Sequence, residues 1–104
     1  MLTCIIRYEI EPYHTEDFRR YARTWGQAIP DCGADLIGYF SPREGTTTTA
    51  YGIYNVADLA AYEAYRARLA AHPLGRENYA FAAERRFIRA EDRAFYVNEN
   101  GSAT

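Results

Sequence analysis

The chain has 104 residues, of which 48% are hydrophobic, 15% aromatic and 25% charged, and its formal net charge is -2. That length holds one hydrophobic core, the composition excludes a disordered chain, and the charge excludes the basic excess with which most nucleic-acid binders meet phosphate. No apolar run reaches about 20 residues, the length that crosses a bilayer, and the start Met1-Leu2-Thr3-Cys4-Ile5-Ile6-Arg7 lacks a secretory pattern; the expectation is a cytoplasmic protein with no nucleic-acid partner and no membrane span.

Thr3 to Ile10 alternates as a strand, with Cys4, Ile6, Tyr8 and Ile10 on one face and Ile5, Arg7 and Glu9 on the other. Pro12 ends it, because proline donates no ladder hydrogen bond. Thr15-Glu16-Asp17 reads as a capped helix start with acids at the positive end of the dipole. Phe18, Tyr21, Ala22, Trp25 and Ile29 then form one apolar stripe, and Gly33 is its expected stop. Leu36 to Ser41 and about Thr48 to Val56 read as strands joined across the turn cluster Pro42-Arg43-Glu44-Gly45. Asp58 caps a helix to about Ala71, which His72-Pro73 breaks. A shorter helix follows from about Leu74 to Arg85 with Leu74, Asn78, Phe81 and Ala82 on one side. Phe87 to Val97 alternates again, with Arg89, Glu91 and Arg93 on one face. The domain is expected over residues 1–97, and the polar residues 98–104 are expected to form a flexible tail.

The order β-α-β-β-α-(α)-β, with right-handed crossovers, predicts an α+β ferredoxin-like sandwich: a four-stranded antiparallel sheet with helices on one face. The bare face then carries Ile, Phe and Tyr from several strands, and a second copy of the sheet is its simplest cover. A homodimer is expected.

The stretch Ile5 to Pro12, the helix with Phe18, Tyr21 and Trp25, the Gly38-Tyr39-Phe40 strand, and the run Tyr62 to Leu69 followed by His72-Pro73 resemble the bacterial NIPSNAP family over nearly the whole chain, to about Val97. The resemblance implies a dimeric α+β barrel. Its wider superfamily includes cofactor-free monooxygenases, haem-degrading enzymes and small-lactone isomerases, so the likeness implies a fold better than a reaction.

The residues themselves leave three functions open: a small-molecule-binding or cofactor-free enzyme domain, a non-enzymatic interaction or scaffold module, and a haem- or metal-dependent monooxygenase. The last ranks lowest. The chain has only His14 and His72, and no HxH, HExxH or acidic cluster with ligand spacing, so no metal and no cofactor are expected. Cys4 and Cys32 are too far apart for a CxxC motif and read as small buried residues. The absence of lysine excludes Schiff-base chemistry on a side-chain amine.

Ten tyrosines in so short a chain are unusual, and those on strands suit either a pocket wall or a subunit interface. Tyr39, Tyr51 and Tyr54 are candidate walls of a ligand site. Arg7 interrupts an apolar strand and Arg93 lies on the strand expected beside it. Together they are a candidate clamp for a small acidic or aromatic ligand, because the guanidinium fork binds carboxylates bidentately. The alternative is that Glu9 and Glu91 pair with these arginines.

Overall fold

The computed structural model describes residues 1–101. Within them the order is β1 (Leu2–Ile10), α1 (Thr15–Asp31), β2 (Asp35–Phe40), β3 (Thr49–Val56), α2 (Leu59–Ala71), α3 (Pro73–Arg85) and β4 (Ile88–Tyr96). The strands form one antiparallel sheet in the order β2-β3-β1-β4, the ferredoxin-like arrangement.

Alternation on β1 separates the two faces as the sequence predicts. Cys4, Ile6, Tyr8 and Ile10 are buried beneath the helices, together with Phe18, Tyr21, Trp25 and Ile29 of α1 and Tyr65 and Leu69 of α2. Fully burying a side chain the size of Phe18 contributes about 1.5–3 kcal/mol, so this two-layer core holds the fold together. α3 closes it: Asn78, 2% exposed, donates from Nδ2 to the Tyr21 carbonyl at 2.9 Å and ties α3 to α1.

The helix ends follow from local chemistry, with one correction. Thr15 is the first helical residue of α1, not its cap. His14 takes the cap position without a side-chain cap bond, and its Nδ1 lies 3.2 Å from Asp17 Oδ2. The chain enters α1 through Tyr13 at φ 71°, and that left-handed residue shifts the first helical turn. Gly33 ends α1 at φ 96°, while Arg68 Nε donates to the Cys32 carbonyl at 2.8 Å, placing a cation on the negative helix end. Asp58 caps α2, accepting from the Ala61 N–H at 2.8 Å. His72 ends α2 and caps α3: its Nδ1 accepts the Leu74 N–H at 3.1 Å, and its Nε2 faces Asp31 Oδ2 at 3.3 Å.

The other face of the sheet has no helix over it. Across it run Gly38-Ile53-Ile5-Ala94 and Phe40-Tyr51-Arg7-Asp92. Ile37, Phe40, Tyr51 and Tyr96 stand exposed on or beside this face. Of the expected tail, residues 98–101 form a turn in which Asn98 Oδ1 accepts the Asn100 N–H at 3.0 Å; the remainder lies outside the described residues.

Candidate functional site

Three cross-sheet rows on the helix-covered face build the site. One is Leu36-Tyr54-Cys4-Phe95, the next Tyr39-Gly52-Ile6-Arg93, and the third Ala50-Tyr8-Glu91. Gly52 and Ala50 leave room above the sheet, and the Tyr39 ring lies across Gly52. From the helices come Tyr21 and Trp25 of α1, Tyr65 and Arg66 of α2, and Tyr79 of α3. These groups enclose a cavity of about 20 Å³ between sheet and helices, room for about one water.

The walls are aromatic and interlocked. Tyr21 meets Tyr8 edge-on at 6.0 Å and Trp25 at 5.5 Å, and Trp25 meets Tyr79 at 5.2 Å. Tyr54 and Tyr65 lie 5.2 Å apart. The hydroxyls of Tyr8 and Tyr39 are hydrogen-bonded at 3.1 Å. Burial pushes Tyr8, Tyr39, Tyr54 and Tyr65 well above the usual phenol range and Tyr21 up to about 12, so at neutral pH every one is a donor.

At the mouth, beside the edge strand β4, sit Arg66, Arg93 and Glu91. Arg93 Nη2 donates to Glu91 Oε2 at 3.0 Å, and Arg66 Nη1 donates to the Tyr62 hydroxyl at 2.8 Å. Burial opposes the charge on Arg93, but the Tyr62 and Tyr54 hydroxyls, Glu91 and Cys4 around it prevail and raise its pKa. Two buried donors, Trp25 Nε1 and Arg93 Nε, have no partner among the described residues. An orphaned buried donor costs about 1–3 kcal/mol, a cost that a water in the cavity or a polar atom of a ligand would offset.

The sheet register divides the residues expected from the sequence. Tyr39, Tyr54 and Arg93 come together around the cavity. Arg7 and Tyr51 stand on the opposite face, where Arg7 pairs with Glu9 at 3.0 Å. An Arg7–Arg93 clamp is therefore not formed: Ile6, not Arg7, is opposite Arg93, and adjacent residues on a strand point to opposite faces. Tyr8, one of the strand tyrosines, and Glu91, the alternative partner of Arg93, also line the cavity, whereas Tyr21, Trp25, Tyr65, Tyr79 and Arg66 are cavity residues that the sequence did not point to. The available signal was that the core stripes of α1 and α2 carry polar-tipped aromatics where leucine or isoleucine would suffice.

This arrangement gathers two guanidinium groups and several protonated phenols that can donate hydrogen bonds to oxygen. Glu91 is its carboxylate, and the described lining has no histidine. Cys4 lies opposite Tyr54 in the sheet, and burial pushes its thiol up, away from the thiolate a nucleophile needs. Among the described residues, no group of three or more His, Cys, Asp or Glu is placed to hold a metal ion.

A ferredoxin-like α+β domain with an interior cavity between sheet and helices is the class these observations define. The NIPSNAP family model matches residues 3–102, and the chain belongs to the NIPSNAP family. Protein Atu4242 from Agrobacterium tumefaciens superposes with a TM-score of 0.83 at 19% identity, over 99% of this chain and 98% of that one. An uncharacterized NIPSNAP domain protein from Burkholderia xenovorans gives 0.76 at 23% identity over 100% of both chains. SnoaB from Streptomyces nogalater, a cofactor-independent oxygenase, shares the fold at a TM-score of 0.58 and 17% identity, over 99% of this chain and 97% of that one. No curated protein matches the sequence.

Proposed function

We propose that this NIPSNAP chain is a small-molecule-binding or cofactor-free enzyme domain, acting as a cytoplasmic homodimer with its ligand between sheet and helices. The observation that carries this reading is the interior cavity walled by protonated tyrosines, two of whose lining residues, Trp25 and Arg93, each carry a buried donor, Nε1 and Nε, with no partner among the described residues. Polar groups left unpaired inside a core signal a missing partner more than a structural need. SnoaB supports the enzymatic side, because that protein, on the same fold, is a cofactor-independent oxygenase. The dimer rests on the bare sheet face: Ile5, Ile53, Tyr51, Ile37 and Phe40 make a large apolar surface with no cover in one chain. The cytoplasmic location accords with Cys4 and Cys32, both buried free thiols.

Native mass spectrometry of freshly purified protein, with thermal shifts against a panel of neutral and charged aromatic compounds, tests the ligand. A retained small molecule, or a melting temperature that rises with compound concentration, is expected. No retained mass and no shift would favour the interaction module instead. Light scattering on a sizing column should give twice the 11.9 kDa chain mass; a stable monomer at micromolar concentration overturns the dimer.

A further inference from the structure

We infer that the ligand is an aromatic anion whose carboxylate sits between Arg66 and Arg93 at the cavity mouth, displacing Glu91 from its hydrogen bond to Arg93. The inference rests on reading the cavity as a ligand site. Its grounds are the arrangement of charge. Two guanidinium groups, one from α2 and one from β4, line the cavity together with a single carboxylate, Glu91, which is bonded to Arg93 alone. Glu91 satisfies only Nη2 of Arg93 and leaves the buried Nε free. Arg66 has no carboxylate within ion-pairing distance among the described residues; its hydrogen bond goes to the neutral Tyr62 hydroxyl. The mouth is thus one negative charge short, and the unpaired guanidinium edge is shaped for a bidentate acid.

Behind the mouth the surface changes from charge to aromatic rings and phenolic donors, which suits a flat ring with a distal oxygen near the Tyr8–Tyr39 hydroxyl pair. The cavity holds about one water as it stands, so the ring enters by moving side chains at the mouth. Tyr79, 41% exposed, is the lining aromatic with the most freedom to give way.

Glu91 is, on this account, an internal competitor, and removing it should improve binding. The chain has one tryptophan, and it stands in the cavity wall, so Trp25 fluorescence reports occupancy directly. The experiment titrates para-hydroxybenzoate and its neutral isostere para-hydroxybenzamide into wild type, Arg66→Gln, Arg93→Gln and Glu91→Gln, with circular dichroism confirming that each variant is folded. The acid should bind at least about tenfold more tightly than the amide, in line with the added strength of hydrogen bonds to charged groups. Arg66→Gln and Arg93→Gln should each lose about that factor for the acid and little for the amide, while Glu91→Gln should bind the acid more tightly than wild type. Arg66, at the half-exposed rim, decides the matter if Arg93→Gln does not fold. Equal binding of acid and amide overturns the anion inference and leaves the cavity reading standing. No binding of either compound to wild type or to Glu91→Gln overturns both.

Discussion

A methyl group added at Gly52 would stand 2.5 Å from Cζ of Tyr39, inside the closest approach of real carbon atoms. That absence of a side chain lets the Tyr39 ring lie flat across the sheet and bring its hydroxyl to Tyr8. Replacing a strand glycine by alanine normally gains about 0.5–1 kcal/mol from reduced chain entropy, whereas overpacking a core costs about 1–3 kcal/mol. The ring has Phe18, Tyr21 and Tyr8 around it, so the overpacking wins. Gly52→Ala should lower stability by about 1–2 kcal/mol in urea denaturation, and an unchanged or raised midpoint would show that the ring moves aside freely. The sequence offers Tyr39 as a candidate pocket wall without saying which sheet face it takes, because the inward direction of Tyr39 depends on a register shift. Leu36 faces inward opposite Tyr54; strict alternation from it would turn Tyr39 outward, but the pairing shifts between Leu36 and Gly38 and turns Tyr39 in. Arg93 is subject to the same limit: its place opposite Ile6 follows a second register shift at Glu9 and Ile10 that no periodicity announces. Arg7 and Arg93 look like partners on adjacent strands, and one residue of register separates them onto opposite faces.

At the scale of elements the sequence is far more legible, because strong local punctuation sets each boundary. Pro12, Asp58 and His72-Pro73 each remove or satisfy a specific backbone hydrogen bond, and the observed strands and helices begin and end within a residue or two of where those signals put them. The elbow between α2 and α3 shows what punctuation leaves out. His72 ends one helix and caps the next, and Pro73 takes the first helical position, where its missing N–H costs nothing. Gly75 then packs directly on the Leu69 carbonyl, a backbone atom that cannot swing away. An alanine at an ordinary helix position is about 1 kcal/mol better than glycine. Here that gain meets a clash that must open the α2–α3 angle and loosen Tyr65 and Leu69 from the core. Gly75→Ala should therefore destabilise, by about 1–3 kcal/mol, and should weaken any ligand bound by Arg66, which rides on the same helix. A rise in melting temperature on Gly75→Ala would mean that helix propensity, not the elbow contact, governs this position.

The whole molecule is organised around phenols that keep their protons, and this gives it a distinctive response to alkali. Unfolded tyrosines release their protons near pH 10. In the folded chain burial holds Tyr8, Tyr39, Tyr54 and Tyr65 well above that value, and Tyr21 up to about 12. Folding stability changes with pH only where the two states bind different numbers of protons. Below the unfolded phenol value both states keep these protons, and the stabilisation is complete. As pH rises above it the unfolded chain loses protons that the folded chain retains, so the unfolded state gains, by up to about 1.4 kcal/mol per pH unit for each withheld proton. Five such groups sit in one contiguous core spanning sheet and helices, so none can ionise without opening the layer shared by the others. Stability should thus be insensitive to tyrosine ionisation between about pH 7 and 9 and fall steeply above about pH 10. The buried phenols should then ionise in one step with unfolding, seen as a rise in tyrosinate absorbance coincident with loss of the Trp25 fluorescence signal and of circular dichroism. Tyr54→Phe, which removes one of the withheld protons, should make the alkaline fall shallower even if the variant is less stable at neutral pH. A gradual release of all five protons with the far-ultraviolet circular dichroism intact would show that the core admits water, and that its tyrosines are not the sealed donors on which the ligand site depends.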